Sequence, residues 1–308
     1  MKRLIYMPLV VAVLSWPMSG QVSLDLKIPE KTTATTQSET RVHQILLLAG
    51  QELVTKNNQK VSAKATTGTR AKGGDITRKM EVTKWSGKWE FPGGIKMDFD
   101  SAVPERKAPI PQLEPILEML RTMLKHPTAQ VFDKDNNIKA VNLPEGALDG
   151  LPAEFKDMVT AKALVRELEN QYAFIPNKAV SKGDTWVRDQ KLPLGAGQTL
   201  NLRIDYKYEG TVKQDGRELD RISGKITRAA YEQEGKAPGP LQVKDADLKP
   251  AKSVVDLLFD REVGHFTSSK FLIQVKGDMT FDVNGMELAG KLDLTMENNT
   301  VVSAPKKK

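Results

Sequence analysis

The chain has 308 residues, a net charge of +7 from 46 Lys and Arg against 39 Asp and Glu, and no cysteine. The missing thiols exclude a disulfide framework and a lipid-accepting cysteine. Apart from Lys306, Lys307 and Lys308 the charges are interspersed in sign, which describes a solvated surface and excludes the concentrated basic face that nucleic-acid binding requires. A chain of this length buries roughly 70 to 75% of its unfolded surface, so its core needs no covalent staple.

In chain order, Lys2 and Arg3 precede an apolar run from Leu4 to Leu14, which Trp16-Pro17 breaks. This is the layout of an export signal, and the run is too short to span a bilayer comfortably. Removal near Gly20 is expected, with retention as an anchor the alternative. The protein is then periplasmic or secreted, carries +5 once Lys2 and Arg3 are gone, and has no integral membrane span.

Ser23 to Ile28 alternates as a short strand, and Thr32 to Thr40 is a Thr-rich segment that can be strand edge or loop. From Val42 to Asp100 the pattern is β, with Ile95, Met97 and Phe99 on one face and Lys96, Asp98 and Asp100 on the other. Ser86-Gly87 is expected as the turn between strands carrying Trp85 and Trp89. Pro104, Pro109, Pro111 and Pro115 then interrupt strand formation. Leu113, Ile116, Leu117, Leu120 and Leu124 follow at helical spacing within Gln112 to Lys125, with Met119 and Met123 read as core packing rather than a pliable ligand surface. Val131 to Val141 reads as a hairpin with a polar tip, and a second helix is expected over Ala153 to Asn170.

The clearest alternation in the chain is Leu200, Leu202, Ile204, Tyr206 and Tyr208 against Asn201, Arg203, Asp205, Lys207 and Glu209. Asp215-Gly216 is a hairpin turn into a strand over Leu219 to Ala229, whereas Glu232 to Pro250 reads as a loop. Strands follow over Ser253 to Phe259, Gly264 to Val275, Met279 to Val283 and Met286 to Met296, with Asn284-Gly285 as another tight turn. Strands at this spacing argue for an antiparallel sheet or open barrel, and helices confined to the middle argue against a doubly wound parallel sheet.

Known chemistries fail on their spacing. Asp133-x-Asp135-x-Asn137 begins like a calcium loop, but Ile138 and Pro144 stand where that loop needs Gly and a bidentate Glu. His43, His126 and His265 have no zinc-site spacing, no G-x-S-x-G elbow is present, and Gly195-Ala196-Gly197 is no dinucleotide fingerprint. The expectation is a non-enzymatic protein with no cofactor and no metal.

The most distinctive text is Phe174-Ile175-Pro176 leading to Ser181-Lys182-Gly183-Asp184-Thr185-Trp186, followed by Lys191-Leu192-Pro193-Leu194-Gly195 and a strand ending at Tyr208-Glu209-Gly210. This resembles a family of secreted bacterial proteins of unknown function, which is similar in fold to periplasmic lipoprotein carriers of the LolA and LppX type. The residues themselves read as structural. Gly183 supplies a turn, Asp184 bonds nearby amides, Thr185 leads into a strand and Trp186 is an apolar anchor whose N–H needs a partner.

The resemblance implies an α+β fold: a curved antiparallel sheet, or open half-barrel, with two or three helices from the middle of the chain on its concave face. The expected division is a signal at 1–20, one domain over 21–303 and a basic tail at 304–308. The implied function is carriage of a lipid or lipoprotein acyl chain in the concavity. The alternative is a structural or interaction module with a filled core, whose partner is another envelope protein.

Overall fold

The computed structural model describes residues 20–149, 156, 160–195, 198–233, 241–283 and 285–307. Apart from Gly20 the expected export signal lies outside the described residues, as do 153–155 and 157–159 of the expected second helix and Asn284 of the expected Asn-Gly turn.

The N-terminal half comprises β1 (Thr32–Leu48), β2 (Gln51–Thr67), β3 (Ile76–Phe91), β4 (Ile95–Asp100), α1 (Glu114–Lys125), β5 (Thr128–Phe132) and β6 (Ile138–Asn142). After α2 (Ala161–Tyr172) come β7 (Thr185–Gly195), β8 (Gln198–Gln214), β9 (Arg217–Gln233), β10 (Leu241–Asp260), β11 (His265–Val283), β12 (Met286–Val302) and β13 (Lys306–Lys307). All pairings are antiparallel, in the order β6-β5-β3-β2-β1-β12-β11-β10-β9-β8-β7. The two ends of the chain are joined in mid-sheet, where β1 pairs with β12 from Thr36↔Val302 to Leu48↔Gly290. Lys306 and Lys307, within the expected basic tail, pair with Thr33 and Thr32.

This overturns the α+β expectation. The described fold is a large antiparallel sheet of thirteen strands that is not closed into a barrel, with two 12-residue helices, α1 and α2, set against it. The physical reason is that tertiary pairing converts stretches that look like loops into strands. The Thr-rich segment becomes the first half of β1, because β2 on one side and β12 on the other satisfy its backbone. Leu241–Pro250 becomes the first half of β10 by pairing with β11. Pro250 is tolerated because it sits at a register shift in that ladder. Ser86-Gly87 is no turn but lies inside β3. Ser23–Ile28 is not a strand; beside it only the bridge Val22↔Val180 forms.

Three apolar clusters form on the sheet, two of them sharing Tyr172. The largest joins alternate residues of β8 to β12, among them Leu202, Tyr206, Leu257, Ile273 and Leu294, with Phe174, Val180 and Trp186. α1 lays Leu117 and Leu120 on Trp85, Met97 and Phe99. Pro115 in its first turn starts it and Lys125 suits its negative end. Buried Arg121 holds the preceding proline-rich segment on this helix, donating to Glu114 and Glu118 (2.7 and 2.8 Å) and to the carbonyls of Pro104 and Arg106 (both 2.7 Å). α2, capped by Thr160 accepting from the Ala163 amide, packs Leu168 against Ile76, Phe132 and Val141.

β6 and β7 are the terminal strands of the order, and α2 touches both. Its Leu164 and Val165 belong to the cluster with Val141 of β6, while Asn170 Nδ2 donates to the carbonyl of Lys191 in β7 at 2.7 Å. The helix thus covers the gap between two free edges, where exposed backbone would otherwise invite pairing with another chain.

Candidate functional site

These clusters leave part of the sheet face under α2 unfilled, and a cavity of about 550 Å³ there is lined by α2, whose Tyr172 touches two of the clusters, and by strands from both halves of the sheet. Its floor is the even face of β1 at Thr32, Ala34, Thr36, Ser38 and Thr40, continued by Ala63, Ala65 and Thr67 of β2. These side chains are short, so the sheet face they cover is left unfilled. Farther along the same face of β1, Val42, Leu46 and Leu48 pack into the large cluster. The switch is matched across the ladder, where Val42 faces Met296 but Thr40 faces Asn298 and Ser38 faces Thr300.

The polar part of the floor satisfies itself. Asn298 Nδ2 donates to Ser38 Oγ at 3.0 Å and Thr40 Oγ1 at 2.8 Å, and Thr300 Oγ1 donates to Asn298 Oδ1 at 3.0 Å. The opposite wall is apolar, with Leu202, Val255, Leu257, Phe266, Phe271 and Met296, and Tyr172 and Phe174 close it from the helical side. Such a site is amphipathic: a hydroxyl and amide floor, an apolar wall and a helix above.

Among the ionisable groups that line it are Arg78, Glu167 and His265, from distant parts of the chain. Arg78 of β3 donates from Nε to Gln130 Oε1 at 2.8 Å and from Nη2 to Tyr172 Oη at 3.0 Å, and its guanidinium lies 4.9 Å from the centre of the Phe132 ring. Glu167 of α2 is exposed where it lines the cavity, and desolvation by the surrounding protein raises its pKa above the ordinary carboxylate value, with the charge of Arg166 opposing. Burial lowers the pKa of His265, and the charges of Arg78 and Arg217 act in the same sense. The bond between Nδ1 and the Phe266 carbonyl (2.8 Å) and the charge of Asp260 oppose that shift. Since the carbonyl can only accept, His265 carries its proton on Nδ1 when neutral.

Of the residues singled out in the sequence, Gly183, Asp184, Thr185 and Trp186 lie outside the cavity lining, at the corner before β7. Gly183 adopts φ +95°, and its amide donates to the Tyr208 carbonyl at 2.8 Å. Asp184 accepts the Ser181 amide at 2.8 Å, and its own carbonyl accepts the Tyr208 amide at 2.9 Å. Thr185 opens β7, paired with Lys207. Trp186 Nε1 donates to the buried Phe174 carbonyl at 2.9 Å, and its ring stacks on Tyr206 with centroids 5.8 Å apart. Tyr206 and Phe174 both line the cavity, so Trp186 braces its wall from behind.

Trp186→Phe is expected to cost about 1–3 kcal/mol, because it orphans a buried carbonyl while keeping much of the ring packing. The shift of the urea midpoint at constant slope measures it.

The other sequence candidates lie elsewhere. In the Asp133 turn the carboxylate is spent on its own loop, accepting the Asp135 and Asn137 amides at 2.8 and 2.9 Å and the Asn137 side chain at 3.0 Å. These bonds, those to Asn137 foremost, hold the Asp133 carboxyl below its ordinary pKa. His43 and His126 are not among the lining residues, whereas His265 is. Among the described residues no group of three or more His, Asp or Glu is placed to hold a metal ion. Arg78 and Glu167 were not singled out in the sequence, and the Thr32–Thr40 segment was read there only as strand edge or loop. The alternation of Thr32, Thr36 and Thr40 with Ala34 and Ser38 was the available signal for the last.

No family model matches the chain, and no curated protein matches it. Among solved structures, it is similar to lipovitellin, described for its lipid–protein interactions, with a TM-score of 0.47 and 9% identity over 91% of this chain. The chain spans 26% of the lipovitellin chain. The outer membrane protein OprG of Pseudomonas aeruginosa overlaps 91% of this chain and 99% of its own at a TM-score of 0.24 and 7% identity. A DUF1329 family protein of Desulfovibrio piger overlaps 88% of this chain and 85% of its own at a TM-score of 0.15 and 8% identity. Overlaps this loose carry no argument about function, which rests instead on the cavity. No helix among the described residues is long and apolar enough to cross a membrane.

Proposed function

We propose that the protein binds an apolar or amphipathic molecule, such as a lipid acyl chain, in the cavity under α2. The observation that carries this reading is the 550 Å³ space between a low floor of Ala34, Ala63 and Ala65 and an apolar wall. That volume falls within the roughly 300–1,000 Å³ typical of ligand sites. Each buried methylene contributes about 0.8 kcal/mol. About ten of them offset the lower half of the roughly 4–15 kcal/mol cost of association.

The role is binding rather than catalysis. Glu167 and His265 reach the cavity from separate elements, and among the described residues neither is hydrogen-bonded to a hydroxyl that it could activate. The basic and apolar start of the chain supports a place in the cell envelope, where lipids and lipoproteins are the available ligands. A purely structural module would have this space filled by side chains, and the cavity favours a ligand.

The test is uptake of a fluorescent fatty acid by the delipidated chain, alongside native mass spectrometry for co-purifying lipid. Ala65→Phe, which places a ring over the floor, is expected to reduce uptake tenfold or more while leaving the far-UV circular dichroism unchanged. A clean apo mass together with no uptake by the unsubstituted chain, or equal uptake by the Phe variant, would sink the cavity as the site.

A further inference from the structure

Arg78 brings a cation into the cavity without a counter-ion among the described residues. Its two hydrogen bonds go to neutral partners, Gln130 and Tyr172, and it forms no ion pair among the described residues. Nη1 makes no hydrogen bond among the described residues. Of the acidic groups of the lining, Glu297 lies 3.8 Å from Arg41, and Glu167 is in no ion pair with Arg78 among the described residues.

The guanidinium is nevertheless held in place, with Nε and Nη2 fixed and its carbon over the Phe132 ring. A part-buried cation that is oriented but unpaired favours a ligand that brings negative charge, because charge-assisted hydrogen bonds are about twice as strong as neutral ones. Arg78 also lies at the edge of the space, in the pairing row Gln130–Arg78–Thr67, one step from the row of Met80 and Ala65. Polar recognition at that row and apolar contact beyond it divide a ligand into head and tail.

We infer that the cavity selects amphiphiles with an anionic head, a carboxylate or a phosphate ester, which pairs with Arg78 while the tail runs over the alanine floor. This rests on the cavity reading above and names its substrate class.

The experiment is competition of dodecanoate, dodecyl phosphate, dodecanol and inorganic phosphate against a bound fluorescent amphiphile on the full chain. Both anionic amphiphiles are expected to compete at least tenfold better than dodecanol, and inorganic phosphate far more weakly than dodecyl phosphate. Arg78→Gln should bring that ratio close to one through loss of anion affinity, with dodecanol unchanged, and Arg78→Lys should keep most of it. Dodecanol competing as well as dodecanoate, or an Arg78→Gln variant that keeps the ratio, overturns the inference while leaving the cavity as a binding site. Inorganic phosphate competing as well as dodecyl phosphate overturns it in favour of a free-anion site. No competition by any amphiphile removes both readings. The ratio in the unsubstituted chain decides even if a variant fails to fold.

Discussion

Asp220→Ala is expected to destabilise the protein by about 3 kcal/mol, near the low end of the range for breaking a buried ion pair. Asp220 is 1% exposed. It lies 2.5 Å from Arg261 Nε, accepts the Tyr208 hydroxyl at 2.5 Å and accepts Thr211 Oγ1 at 3.3 Å. Removing the carboxylate leaves the Arg261 guanidinium without its counter-ion and the buried Tyr208 phenol without its acceptor. The lower end applies because the Arg261 side chain is 35% exposed and water can solvate part of the orphaned charge.

The consequence reaches the cavity. The Arg261 carbonyl accepts Lys27 Nζ at 2.7 Å, and the Gly264 carbonyl accepts the Lys27 amide at 3.0 Å. The β10–β11 turn thereby holds the segment whose Lys27, Ile28 and Pro29 line one side of the cavity. Hydrogen exchange of the alanine variant should therefore rise at residues 22–28 as well as around the turn. Asp220→Asn, which keeps an acceptor, should lose less. A midpoint shift equivalent to under about 1 kcal/mol for Asp220→Ala would show that the network does not carry this corner.

Gly277→Ala is expected to be still more damaging relative to the size of the change, costing about 3 kcal/mol or more or preventing accumulation of soluble protein. A Cβ at this position would lie 1.9 Å from the Asp247 carbonyl oxygen and 2.9 Å from the Leu248 Cα. Both are backbone atoms of β10, so no rotamer change relieves the clash and the ladder must part where Gly277 pairs with Leu248. The useful contrast is Gly216, whose φ is +76° but whose added Cβ would have no neighbour within 4 Å. Gly216→Ala should cost only about 1 kcal/mol of backbone strain. Thermal denaturation of the two alanine variants separates close approach from turn conformation, and equal losses would refute the distinction.

Period-two patterning was sufficient to find most strands, because burying one face of a strand forces alternation whatever its neighbours are. Leu200 to Tyr208, with its buried even positions, is the plainest case. The helix over Leu113 to Leu124 and the turns at Asp133–Asn137 and Asp215-Gly216 were legible for equally local reasons: a 3.6-residue stripe and residues that tolerate positive φ, as Asn136 and Asp215 do at +65° and +50°. Gly183-Asp184-Thr185-Trp186 was legible as turn and anchor. Its link to the cavity was not, since the stacking of Trp186 on Tyr206 joins two different strands.

What tertiary structure alone decided is which faces meet and what is left between them. The Thr32–Thr40 face is strand only because β2 and β12 flank it, and the β12 partners lie more than 250 residues away in the chain. Parity within β3 also changes, since a register shift between Ser62 and Ala63 puts Arg78, Met80 and Val82 on the same face as Trp85 and Trp89. An alternation rule cannot carry a residue across such a bulge. The α+β expectation failed for the same reason, since it left polar and proline-containing stretches unpaired that the sheet in fact absorbs. The sequence by itself determined the strands with an apolar face and the first helix. The sheet order, the α2 cover over its two free edges and the cavity holding Arg78 depend on pairing between distant segments, which local periodicity does not encode.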